Sequence, residues 1–152
     1  WIIGPEAFDT AFKTYIDRWA YRHPQPSDFF RTLENETGMD LDYFVRSWFY
    51  ETDTLDFGVV GASPAENGRA IVKVESLGEM MMPMPVQITF EDGTTETRRV
   101  PAQAFVTGDV HTLAVESESP IAEIVIDAHQ ILPDVNRRNN TWRADDAGSP
   151  GR

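Results

Sequence analysis

His23, His111 and His129 are the only imidazoles in the chain, and no two of them stand four residues apart. A catalytic zinc takes three protein ligands, usually including histidine, and keeps one position open. The H-E-x-x-H pattern that supplies two such ligands from one helix face is absent. Each histidine has a plain structural reading. His23 sits in a proline-flanked helix end, where an imidazole suits the negative pole of the helix. His111 begins a strand, and His129 follows Asp127 in a turn. Nucleophilic serine chemistry needs a strained turn such as G-x-S-x-G, which Gly61-Ala62-Ser63-Pro64 does not form. Gly61 and Gly68 flank a loop containing Pro64 with no G-K-[ST] behind it, so no phosphate cradle is written here.

Carboxylates are the abundant reactive groups. Asp40, Asp42, Glu51, Asp53 and Asp56 gather around a third helix, and two of them could act as an acid/base pair in a small hydrolase. Helix caps and a solvated acidic face account for the same residues more simply. Asp127 and Asp134 with Asn136, Asn139 and Asn140 could offer oxygen ligands to Ca²⁺, but their spacing matches no EF-hand loop, and turn formation explains them. The residues therefore assign neither a catalytic group nor a metal ligand in this chain, and no cofactor of its own.

With 13 basic and 25 acidic residues the chain carries a formal charge of −12. Such a surface repels phosphate backbones and anionic lipid, which argues against nucleic-acid binding. No apolar run approaches the roughly 20 residues that a membrane span needs. The absence of cysteine removes disulfides and thiolate ligands without fixing a compartment. The chain begins at Trp1-Ile2-Ile3-Gly4, with neither an initiator Met nor a signal-peptide pattern, and reads as a piece of something longer.

The elements that would position these groups fall into two parts. Phe8, Phe12, Tyr15, Ile16 and Trp19 repeat at helical spacing and predict a helix over Pro5 to Tyr21, opened by Pro5 and closed by His23-Pro24-Gln25-Pro26. Ser27 or Asp28 is expected to cap a second helix that carries Phe29, Phe30 and Leu33 and ends at Gly38. Asp40 caps a third, Leu41 to Tyr50, with Leu41, Phe44, Val45, Trp48 and Phe49 on one stripe. After Thr52-Asp53 the period changes to alternation. Strands are expected over Arg69–Leu77, Val86–Phe90, Thr95–Val100, Thr112–Glu116 and Ile121–Ile126, with Leu55–Val60 as a sixth. Glu91-Asp92-Gly93-Thr94 marks a hairpin turn. The reading is α+β: an N-terminal three-helix segment (1–53), an antiparallel immunoglobulin-like β-sandwich (54–142) and a disordered polar tail (143–152). The run Met80-Met81-Met82-Pro83-Met84-Pro85 is expected to tuck against the sandwich core rather than face a partner.

Gly4-Pro5-Glu6-Ala7-Phe8-Asp9, Ala11-Phe12-Lys13-Thr14-Tyr15 and Trp19-Ala20-Tyr21-Arg22-His23-Pro24 carry a resemblance. So do Pro26-Ser27-Asp28-Phe29-Phe30-Arg31-Thr32-Leu33-Glu34-Asn35, Gly38-Met39-Asp40-Leu41-Asp42-Tyr43-Phe44 and Trp48-Phe49-Tyr50. In this order they resemble the helices that follow the zinc site in bacterial M1-type (gluzincin) aminopeptidases. The loop Gly78 to Pro83, the Asp92-Gly93 hairpin and Ile126-Asp127 followed by Pro133-Asp134-x-Asn136-x-x-Asn139-Asn140 resemble the tail of the same enzymes more loosely.

The resemblance implies a parent metallopeptidase whose zinc-bound water attacks an N-terminal peptide bond. Its H-E-x-x-H, further glutamate ligand and tyrosine would all lie upstream of Trp1. Zinc is expected in that parent, and no catalytic or metal residue carries over to this chain. By the same resemblance Phe8, Phe12, Trp19, Phe44 and Trp48 are packing residues. The expected partner is the upstream catalytic domain of the same protein, met by a face drawn from Phe12, Tyr15, Trp19, Phe29 and Phe49. When the domain is missing, the chain is expected either to self-associate through that face or to cover it with the sandwich. The rival reading is a free-standing β-sandwich binding module for peptide or glycan, with the helices as a docking stem. The compartment stays open, an exported parent (periplasmic or extracellular) among the options.

Overall fold

The computed structural model describes residues 1–64 and 67–145. The chain divides into two compact units, Trp1–Glu51 and Thr52–Arg152. In the first, three helices follow one another: α1 (Pro5–Trp19), α2 (Pro26–Thr37) and α3 (Asp42–Phe49). No helix among the described residues is long and apolar enough to cross a membrane.

Local chemistry sets each helix end. Proline stands at the first position of α1 and of α2, where its missing N–H would have had no partner anyway. α2 therefore begins one residue before the expected caps. Its cap is Gln25, and Asp28 serves from inside the first turn by accepting the Gln25 N–H at 2.8 Å. Gly38 closes α2 in the left-handed conformation (φ 67°), its N–H returning to the Glu34 carbonyl at 2.8 Å. Asp40 works at the start of α3 by accepting the Asp42 N–H at 3.0 Å. α1 stops at Trp19 rather than Tyr21, because Tyr21 takes a positive φ of 63° that a helix cannot continue through.

The second unit is built from seven strands among the described residues, all paired antiparallel, in two sheets. β1 (Phe57–Ala62), β2 (Arg69–Ser76) and β5 (Val110–Glu116) form one, in the order β1-β2-β5. β3 (Met84–Phe90), β4 (Thr95–Val100), β6 (Ile121–Ile126) and β7 (Thr141–Arg143) form the other, in the order β4-β3-β6-β7. The architecture is thus α+β, three helices followed by a sandwich-like pair of sheets.

Alternation decides which face is buried. Ala70, Val72 and Val74 of β2 and Met84, Val86, Ile88 and Phe90 of β3 all turn inward. On β6 the rhythm breaks. Phe90 pairs with Ile121 while Thr89 pairs with Glu123, so Ala122 is left over as a bulge, and Ile121 and Ile124 both reach the buried side. Met80, Met82 and Met84 lie in the core, which is where an unbranched, polarisable side chain fills irregular space. Each such side chain contributes about 1.5–3 kcal/mol when fully buried.

The segment after β2 crosses the strand entry at very close range. The Leu77 and Gly78 N–H groups both donate to the Asp56 carbonyl, at 2.7 and 3.3 Å, and the Met80 N–H donates to the Thr54 carbonyl at 3.1 Å. A Cβ on Gly78 would stand 2.1 Å from the Thr54 carbonyl oxygen. Only glycine lets the two backbones approach this far. Of the stretch expected to be a disordered tail (143–152), Arg143 closes β7, its guanidinium 2.7 Å from Glu123, and residues 146–152 lie outside the described residues.

Candidate functional site

The aromatic side chains of the helical unit make its one extended feature. Phe8 stacks on Phe12 (ring centres 5.7 Å apart), Phe12 meets Phe29 edge-on (6.3 Å), and Tyr15 meets the same ring at 5.1 Å. Phe29 touches Phe30 (5.5 Å), Phe30 touches Phe49 (5.0 Å), and Phe44 links Phe49 to Trp48 (6.4 and 5.4 Å). Helical spacing produces this ladder: residues four apart on α1 sit above one another and face the start of α2.

Beneath the ladder lies little core. The buried apolar residues of this unit are Ala11, Leu33 and Leu41, with Ile2, Ile3, Phe29, Phe30 and Val45 half-buried against them. Several rings stay partly open: Phe12 is 43% exposed and Phe49 60%, and Phe8 and Trp48 are exposed as well, as is the aliphatic Ile16. Of the five residues expected to form an interface, Phe12, Tyr15 and Phe29 are in mutual ring contact, and Phe49 joins them through Phe30. Trp19 stands apart. It makes no ring contact among the described residues, and its indole N–H is buried without a hydrogen-bond partner. An orphaned donor of this kind costs on the order of 1–3 kcal/mol.

The groups that could do chemistry are otherwise engaged. Carboxylate oxygens of Glu34, Asp40 and Asp42 lie within 4.8 Å of one another. Two of the three hold the start of α3, Glu34 accepting the Leu41 N–H at 3.0 Å and Asp40 the Asp42 N–H. An all-oxygen set with two members already committed does not fit zinc, which favours histidine and thiolate. His111 is half-buried with its ring edge-on to Phe105 at 6.2 Å, a packing contact, and His23 and His129 are exposed.

The Asx-rich stretch after β6 is a fastening rather than an ion cage. Asp127 is buried, and its carboxylate accepts the N–H groups of Ile131 (3.0 Å) and Leu132 (2.8 Å) and an ion pair from Arg137 at 3.2 Å. Arg137 also donates to the Leu132 carbonyl. Asp134 takes the N–H of Asn136 on one oxygen and, on the other, the N–H of Phe57 and the amide of Asn140, both at 3.0 Å. The Asn139 amide donates to Asp56 at 2.8 Å. The loop is thereby sewn to the start of β1 by side chains read in the sequence as turn formers.

At the β3–β4 turn the Thr94 hydroxyl (2.6 Å) and then the Thr94 N–H (2.9 Å) donate to Asp92 and hold its carboxyl below its ordinary value. Sequence reasoning also missed a cleft at this end of the sandwich, walled in part by Trp142 and Glu91. Its only signal was a lone tryptophan in a polar stretch.

No protein-family model matches the chain, and no curated protein matches it. What stands on the residues alone is an α+β chain with a well-filled sandwich and a helical unit whose aromatic ladder is open to solvent.

Proposed function

We propose that this chain is the non-catalytic C-terminal part of an M1-type (gluzincin) zinc aminopeptidase, and that its helices pack against the upstream catalytic domain and support it. The supporting observation is the open aromatic ladder. A unit of about 50 residues is near the lower limit of independent stability, and this one leaves several of its large apolar side chains partly uncovered. A covering surface against Phe8, Phe12, Phe49 and Trp48 would bury the 40–60% of each that is still exposed, roughly half of the 150–250 Å² such a side chain buries in full. The sequence blocks that resemble the aminopeptidase helices run along this same ladder. In this role the chain supplies packing, and the zinc chemistry of the parent belongs to residues it does not contain. Without the domain, the same face pairs with a second copy.

The test is the reading frame upstream of Trp1. The expected result is an H-E-x-x-H encoded there, and a longer protein that binds zinc and releases amino acids from aminoacyl anilides, while the 152-residue chain alone does not. A preceding sequence without that motif, or zinc-dependent hydrolysis by the short chain, overturns the reading.

A further inference from the structure

Two turns meet at one end of the sandwich. The turn between β3 and β4 and the turn between β5 and β6 are joined by the Glu91 N–H on the Pro120 carbonyl (2.9 Å) and the Asp92 N–H on the Ser119 hydroxyl (3.2 Å). The end of β1 and the end of β7 close the other sides. Between them lies a cleft of about 350 Å³ lined by Pro64, Glu91, Pro120, Ile121 and Trp142. That volume is at the lower end of the range of sites for small ligands or a single anchoring side chain.

The walls are selective in what they offer. Trp142 is half-buried, and its indole N–H makes no hydrogen bond among the described residues. Ile121 and the two prolines add apolar surface on which an aliphatic stem can lie. Among the described residues of the lining the one charged group is Glu91, which is exposed and makes no ion pair with them. Exposed Asp92 and Glu118 stand on the same two turns. Arg143, next to Trp142 in the chain, is paired with Glu123 at 2.7 Å, and Arg69 on β2 with Glu116 at 3.5 Å.

We propose that this cleft binds a cationic side chain, lysine or arginine, of a partner protein. An indole face attracts a cation, the apolar walls take the methylene stem, and Glu91 receives the charged head. Charge decides among occupants. An anion would be repelled by Glu91, and a neutral sugar could stack on Trp142 but would gain nothing from the surplus of negative charge. Excess charge of one sign around a small apolar cleft also speeds the encounter with its opposite. The site lies wholly in the sandwich unit and does not depend on the aminopeptidase reading.

The test follows the Trp142 indole N–H resonance, one of four in the chain, in the full ¹⁵N-labelled protein, with its assignment made by Trp142→Phe. Probes are acetyl-Ala-Arg-Ala-amide, the same peptide with uncharged citrulline in place of arginine, and cellobiose. The arginine peptide is expected to shift this resonance saturably at millimolar concentration, with affinity falling as salt screens the pair. Glu91→Gln, which leaves the rest of the spectrum in place, is expected to weaken it about tenfold or more, the loss of one charge-assisted bond. No shift, an equal shift with citrulline, a shift with cellobiose alone, or undiminished binding by Glu91→Gln each overturns the proposal.

Discussion

The two units of this chain solve the same problem to different degrees. The sandwich closes on itself: Phe57, Leu55, Val72, Val74, Met84, Val86, Ile88, Ile124 and Ile126 are all essentially sealed from water. The helical unit holds most of the aromatic rings, 13 of the chain's 17, yet the apolar side chains it seals are Ala11, Leu33 and Leu41. The difference lies in geometry. Two sheets packed face to face enclose both inner surfaces, whereas three short helices have too few faces to cover every ring that helical spacing brings to the surface. Hydrophobic content alone thus says little about autonomy; what matters is whether the elements can turn that content toward one another.

Separating the halves is the strongest way to break the comparison. Residues 52–145 expressed alone are expected to melt cooperatively, while residues 1–51 alone show weak helical circular dichroism and no sharp transition. A helical fragment that melts as sharply as the sandwich would remove the contrast. Single truncations sharpen it. Phe57→Ala should cost about 3–5 kcal/mol in urea unfolding, because it opens a cavity in a sealed core. Phe49→Ala should cost less than about 1 kcal/mol, since that ring is mostly in water already. The double change Phe12→Ser with Phe49→Ser should lower self-association in light scattering and leave the sandwich transition where it was. Gly38→Ala should destabilise the helical unit by about 1 kcal/mol, because alanine resists the left-handed cap.

The smallest effect concerns pH. The Asp92 carboxyl is depressed in the folded chain, so the stability it contributes is present above its unfolded value and is lost as pH falls through the depressed one. Thr94→Val removes the larger of the two causes and should flatten the acid limb of a stability–pH curve slightly. An unchanged limb would show that the hydroxyl bond is not felt through solvent.

Much of the fold was legible in the residues. The β3–β4 hairpin was readable because Asp92-Gly93 punctuates two clean alternations, and the three helices because their apolar positions recur at helical spacing. β7 was not, since three residues are too short to show a period, and Thr141-Trp142-Arg143 is recruited only by pairing with Val125, Ile124 and Glu123. The 3₁₀ turn Ala102–Phe105 escaped for the same reason, although its Phe105 ring stacks on Phe57 at 6.1 Å. Among the candidate interface residues, spacing picked out the ring ladder but could not tell open rings from half-buried ones. Phe29 sits against the small helical core while Phe49 faces water, a distinction set by how α1, α2 and α3 cross. The cleft at Trp142 was beyond reach, because its walls come from four separate stretches of chain.

The crossing at Gly78 has a consequence for how the chain can vary. In a saturation library screened for folded protein, position 78 should return glycine codons alone, because even a methyl group collides with the Thr54 carbonyl. Gly93 has open space around it and is restricted only by its positive φ of 82°, so asparagine should survive there. One glycine is kept by contact and the other by torsion, and a tolerance profile would separate the two without any structure in hand.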